Sequence, residues 1–195
     1  LGRVIEVVSG RSFDAFLQER LFDPLGMGDT GFQVRRADVG RLTTSYFLLG
    51  GMLLPIDLGA DSIYLDKPPF PFGGAGLAST PRDYDRFLEM LLGYGRFEGK
   101  QVMSERAVRL GTSDLFPDTL SPDDSYARTW GFGAGGRVGR GEDQGVYGWA
   151  GAAGTIGFVD LNRGLRAGLY TQYMPMEAYP LLDEFPAAIR ADLAL

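Results

Sequence analysis

The 195-residue sequence contains no cysteine and no histidine. The first absence removes disulfides, thiol nucleophiles and thiolate metal sites together. The second excludes any Ser-His-Asp or Cys-His mechanism carried by these residues alone, and leaves carboxylates and amides as the ligands a metal could find. Lysine is scarce as well: Lys67 and Lys100 are the two lysines among 19 basic residues, and no block of like charge occurs anywhere. With a formal net charge of −6, this composition is a poor match for nucleic acid or an anionic membrane. No stretch reaches the roughly 18 consecutive apolar residues of a membrane-spanning helix. The longest apolar run, near Phe47 to Ile56, is broken by Gly50, Gly51 and Pro55.

What is present is enough for a core: 45% of the residues are hydrophobic and 12% aromatic, which suits one domain spanning 1–195 or a large domain cut short. Leu1, Val4, Ile5 and Val8 form a helical stripe closed by Gly10, with no Ser, Thr, Asp or Asn to cap its start. The expectation is that the sequence begins inside a helix and that a preceding segment is missing. A secretion signal would lie in that segment, so no compartment can be assigned. A second helix is expected from Ser12 through Phe13, Phe16, Leu17, Arg20 and Leu21, stopping at Pro24. Residues 34–72 read as irregular, because Pro55, Pro68, Pro69 and Pro71 argue against long elements; a connection of that length suggests a lid, a site wall or a partner surface.

The clearest helix is STPRDYDRFLEMLLGYG. Ser79 or Thr80 can cap it, Pro81 suits its first position, Asp83 and Asp85 favour its positive end, and Tyr84, Phe87, Leu88 and Leu91 form its buried stripe before Gly93. FEGKQVMSERAVRL reads as a tight turn and short strand, then a short helix capped by Ser104. Strands are expected at Thr129–Gly135, Gly145–Trp149, Gly154–Leu161 and Leu165–Gln172, with LNRG turning the last hairpin, and a helix from Glu177 to Leu195. Helices followed by a turn-connected meander point to an α+β fold, with an antiparallel sheet flanked by helices.

Several patterns invite a chemical reading. GFGAGG (Gly131–Gly136) has the literal form of a dinucleotide-binding turn, but RVGRGEDQG after it does not open a helix, so a Gly-rich strand and hairpin is the better reading. Asp114, Asp118, Asp123 and Asp124 could supply cation oxygens or a carboxylate pair, yet they lack calcium-loop spacing and read as solvated loop acids. Asp160 and Asn162 look like turn chemistry. Ser79 lies at a helix start with no lysine near in sequence, and reads as a cap. No pattern calls for a metal or a cofactor. In VYGWAGAAGTI, small residues surround Trp149; either another backbone or helix packs against that strand, or a substrate does, with N–H groups aimed at a developing oxyanion.

Three ordered blocks, LGRVIEVVSGRSFDAFLQERLFDPLGMGDTGF, FGGAGLASTPRDYDRFLEMLLGYGRFEGKQVMS and GWAGAAGTIGFVD, resemble the C-terminal half of the serine β-lactamase-like hydrolases, a group that includes class C β-lactamases, penicillin-binding-protein-like enzymes and related esterases. The resemblance implies a β-lactamase/transpeptidase-like fold and a site where a Ser-x-x-Lys, a Tyr-x-Asn and a Lys-Thr-Gly-like triplet meet. Trp149-Ala150-Gly151 stands where the third motif would, in a Trp-x-Gly form like that of the esterases; Trp149 would wall the pocket and Ala152 would offer its backbone N–H to the oxyanion. The implied substrate is a small ester or amide. The sequence has no Ser-x-x-Lys and no Tyr-x-Asn, so nucleophile and base are expected in an absent N-terminal half. Alone, such a half would expose a sheet edge and an unfilled core face, and would be poorly stable or would pair with something. The alternative is a binding or interaction domain that keeps the fold without the chemistry.

Overall fold

The computed structural model describes residues 1–117, 119 and 130–193. It is an α+β molecule with an antiparallel sheet flanked by helices. Helix α1 (Gly2–Ser9) has Leu1 at its N-cap position without a side-chain cap, ends at Gly10, and leaves Val4, Val7 and Val8 exposed. Helix α2 (Phe13–Leu17) follows, but it does not stop at Pro24. It widens into a π-helical turn (Gln18–Phe22) and continues as α3 (Asp23–Leu25), ending at Gly26. Pro24 is accommodated because it lies in the first turn of the new segment, where a missing N–H costs nothing.

Residues 34–72 are more ordered than their prolines suggest. Strands β1 (Ser45–Leu49) and β2 (Met52–Asp57) form a hairpin turned by Gly50-Gly51, and short 3₁₀ turns flank it. Pro55 is tolerated because β2 is the outer strand of a three-stranded sheet, where a ladder donor can be lost.

Helix α4 (Pro81–Leu92) organises the rest. The Thr80 hydroxyl accepts the Asp83 N–H at 3.2 Å, Pro81 occupies the first turn, and Gly93 caps the end. Its buried side, Leu88, Met90 and Leu91, packs with Phe22, Leu25, Met27, Phe97, Val108 and Val159. Strands β3 (Arg96–Phe97) and β4 (Lys100–Gln101) make a small hairpin, and α5 (Glu105–Gly111) is capped by the Ser104 hydroxyl.

The main sheet is an antiparallel meander in chain order: β5 (Gly131–Phe132), β6 (Arg137–Val138), β7 (Val146–Ala150), β8 (Ile156–Asp160) and β9 (Leu165–Leu169). GFGAGG therefore forms a hairpin between β5 and β6, with no helix behind it. At the last hairpin the Asp160 carboxylate accepts the N–H groups of Asn162 and Arg163 at 3.0 and 2.9 Å, which is the turn chemistry expected of it. Helix α4 covers one face of β8 and β9. Strand β10 (Tyr173–Met174) leaves that sheet and pairs in parallel with β1. The closing helix α6 (Leu181–Asp192) starts later than Glu177 and carries Pro186 inside it; Phe185 meets Phe158 edge-on with centroids 6.3 Å apart. No helix among the described residues is long and apolar enough to cross a membrane.

Candidate active site

Trp149 and Ala150 end β7, and Gly151 to Thr155 form the turn into β8. β7 is not a free edge: it pairs with β8 over its whole length and with β6 at Tyr147 and Gly148. On the β6 side the ladder stops there, so Trp149 and Ala150 have no strand partner on that edge among the described residues. The small residues are largely explained by neighbours within the chain. A side chain at Gly148 would run into Phe158 on β8, and Gly154 has φ +77° with the Tyr173 ring 2.6 Å from where a Cβ would be. The strand-and-packing explanation thus accounts for these glycines, while Ala152 stays exposed.

The turn is fastened from several directions. The Gly151 N–H donates to the Thr155 carbonyl at 2.8 Å and the Gly154 N–H to the Gly151 carbonyl at 3.0 Å. The Ala153 carbonyl accepts both the Tyr173 N–H at 3.1 Å and the Thr171 hydroxyl at 3.0 Å. β10 thereby ties the turn to the β1–β2 sheet. Within this fastened frame the Ala152 N–H has no partner among the described residues. An N–H fixed in a turn and not committed to another described residue suits electrostatic stabilisation of an oxyanion, since it needs no reorganisation when charge develops.

Beside the turn lies an aromatic shelf. Phe132 meets Trp149 edge-on at 5.7 Å, and Phe116 stacks on Phe132 at 6.0 Å. Trp149 is 46% exposed and so is free to wall a pocket. Nothing in the local sequence relates Trp149 to Phe116 and Phe132; only the folded chain brings them together.

A cavity of about 460 Å³ lies elsewhere, lined among others by Asp14, Thr30, Phe32, Lys67 and Ser79. It does not include Trp149, Ala150, Gly151 or Ala152. Ser79 is not the cap of α4, because Thr80 takes that place. Its hydroxyl lies 2.7 Å from the Thr30 hydroxyl, which donates to the buried Asp83 carboxylate at 3.0 Å. Asp83 also accepts the Asp29 N–H at 2.8 Å. With the Thr30 proton committed to Asp83, Ser79 donates to Thr30, so this network pins the Gly28–Gly31 loop to α4. The Lys67 ammonium stands 3.5 Å from the Asp14 carboxylate.

Tyr84, Tyr147 and Tyr170 are not prepared as bases. Burial raises Tyr84 and Tyr147 above the ordinary tyrosine range and pushes Tyr170 up to about 12. Of the acid cluster, only Asp114 lies within the described residues. Partial burial alone would raise its carboxyl, but Arg140 at 2.9 Å and the N–H groups of Phe116 and Phe132, each at 3.1 Å, outweigh that and hold it below the usual range. Asp114 is therefore a loop anchor. Asp118, Asp123 and Asp124 lie outside the described residues.

A family model described as Beta-lactamase matches residues 1–190. Protein Rv1367c of Mycobacterium tuberculosis is 36% identical over 118 residues, which cover 60% of this chain and 29% of that protein. A lovastatin esterase of Penicillium rubens is 37% identical over 93 residues, 47% of this chain and 23% of that protein. Among solved structures, EstCE1, a hydrolase with promiscuous acyltransferase activity, superposes with a TM-score of 0.76 at 25% identity, covering 97% of this chain and 52% of that one. The chain thus spans less than a third of these curated relatives and about half of that solved structure.

Proposed function

From the premise that this chain belongs to the beta-lactamase family, we propose that it is the C-terminal portion of an esterase-leaning serine hydrolase acting on ester or amide substrates through an acyl-enzyme. The observation that carries this reading is the exposed residue Ala152, whose N–H has no partner among the described residues, in a fastened turn directly after Trp149-Ala150-Gly151. The names of two relatives, a lovastatin esterase and a hydrolase with acyltransferase activity, support the esterase leaning.

In this reading the nucleophile and base belong to a Ser-x-x-Lys segment outside these 195 residues. The serine oxygen bonds to the substrate carbonyl carbon, the carbonyl π electrons move to oxygen, and the Ala152 N–H is one of the donors that hold that oxyanion. Collapse breaks the bond to the alcohol or amine, which leaves with the proton taken from the serine. Water then repeats the sequence to release the acid. Trp149 walls the acyl site throughout.

Two measurements test this. In the protein that carries these residues together with Ser-x-x-Lys, Trp149→Ala should lower kcat/KM for short acyl esters by about tenfold to a hundredfold, the loss of roughly 1.4–2.8 kcal/mol of transition-state binding; unchanged kinetics would remove Trp149 from the site. An acylating serine probe should label that protein once, at the motif serine, and should leave the 195-residue chain unlabelled. Labelling of neither would favour the alternative of a binding domain with a hydrolase fold.

A further inference from the structure

The hydrogen bonds that hold the turn after β7 run in series. In a trans peptide unit the C=O and the N–H point in opposite directions, so whatever fixes the carbonyl also aims the amide. The Ala153-Gly154 unit is trans, and its carbonyl accepts the Thr171 hydroxyl at 3.0 Å and the Tyr173 N–H at 3.1 Å. On its other side the same unit donates the Gly154 N–H to the Gly151 carbonyl at 3.0 Å. That carbonyl belongs to the Gly151-Ala152 unit, also trans, whose opposite side carries the Ala152 N–H. Two peptide planes thus connect the Thr171 hydroxyl to the proposed oxyanion donor.

Thr171 is half-buried and supplies a side chain at the head of this series, whose following links are main chain. Gly154 makes room for it: with φ +77°, a Cβ there would stand 2.5 Å from the Thr171 hydroxyl oxygen. The Tyr173 N–H alone would spare the Ala153 carbonyl from being left unpaired. The hydroxyl adds a second donor, and hydrogen bonds in series polarise one another, so a donor at the head strengthens the donor at the end. We propose that Thr171 is a positioning residue for the oxyanion: its hydroxyl, acting through the Ala153-Gly154 and Gly151-Ala152 units, aims and polarises the Ala152 N–H. This rests on the hydrolase reading and deepens it, naming a residue that tunes the site without touching the substrate. Its effect falls on the chemical step, because the oxyanion exists only once the serine has attacked.

Kinetics and spectra test this separately. In the protein that carries these residues together with Ser-x-x-Lys, Thr171→Val keeps the shape and removes the hydroxyl. It should lower kcat for short acyl esters by about threefold to tenfold, the span of one ordinary hydrogen bond, with KM changed by less than about twofold. Thr171→Ser should restore most of that loss. An unchanged kcat, or a loss that serine does not restore, overturns the proposal. The second readout needs no turnover. In the isotope-labelled full chain, a coupling through the hydrogen bond should connect the Gly154 nitrogen to the Gly151 carbonyl carbon. Thr171→Val should then move the Gly154 and Ala152 amide resonances upfield together, Gly154 by more. Changes confined to Thr171 and Tyr173 overturn the proposal. So does a missing coupling in the unaltered chain, which decides the matter even where the variant fails to fold. Absence of serine labelling would remove the hydrolase reading by itself, and the spectra do not depend on that labelling, so the two failures are told apart.

Discussion

Met-Leu-Leu occurs twice in this chain, at residues 52–54 and 90–92, and the two copies occupy opposite environments. In α4, Met90 is 0% and Leu91 6% exposed, sealed against Leu25, Val108 and Val159. In β2, Met52 is 64%, Leu53 47% and Leu54 40% exposed. Composition is the same in both places, so it cannot be what makes a core. The helix copy sits in an amphipathic frame with a capped start and a sheet to lie on, whereas the strand copy is in an outer strand whose single strand neighbour among the described residues is β1. Burial was decided by what lay opposite.

The most direct way to break that comparison is to truncate both copies. Met90→Ala should cost about 2–5 kcal/mol in chemical denaturation, the usual loss for a fully buried large side chain. Met52→Ala should stay within about 0.5 kcal/mol. A large loss at Met52 would show that the hairpin is covered in solution, and the contrast between the copies would fall.

A smaller effect is expected where the core is tied to its loops by polar groups. Asp83→Ala leaves the Thr30 hydroxyl and the Asp29 N–H without their acceptor, and should lower stability by about 1–3 kcal/mol in a thermal melt. Ser79→Ala should cost less, because Thr30 keeps Asp83. If the two variants melt alike, the chain of donors from Ser79 to Asp83 has been misassigned.

The smallest effect concerns the Asp114 anchor beside the aromatic shelf. Its carboxyl is lowered in the folded chain, so the stability it contributes is present above the unfolded carboxyl value of about 3.9 and is lost as pH falls through the lower folded value. Asp114→Asn should therefore be less stable than the unaltered chain near neutral pH, with the gap closing below about pH 4. A gap that stays constant across that range would assign the anchor to shape instead of charge.

Much of this was legible from local pattern. Thr80-Pro81 with Asp83 fixed the start of α4, Ser104 fixed α5, and Asp160 with Leu161-Asn162-Arg163-Gly164 fixed the last hairpin, because caps and tight turns are written within four residues. The β1–β2 hairpin was hidden by a continuous apolar run without alternation and by Pro55, whose tolerance depends on β2 being an outer strand. The passage of the second helix through Pro24 likewise depends on a π turn that no residue pattern announces.

The sequence by itself excluded Ser-His-Asp and thiol chemistry carried by these residues alone, and determined the helix caps, the order of the meander and the small-residue turn after Trp149, since each follows from residue type and near neighbours. Only the tertiary structure decided which Met-Leu-Leu is core, that Tyr173 and Thr171 fasten the Ala152 turn, and that Arg137 stands between Trp130 and Trp149. Those are contacts between segments distant in the chain. They exist because strand register and helix packing bring faces together, and neither is encoded in any single window of residues.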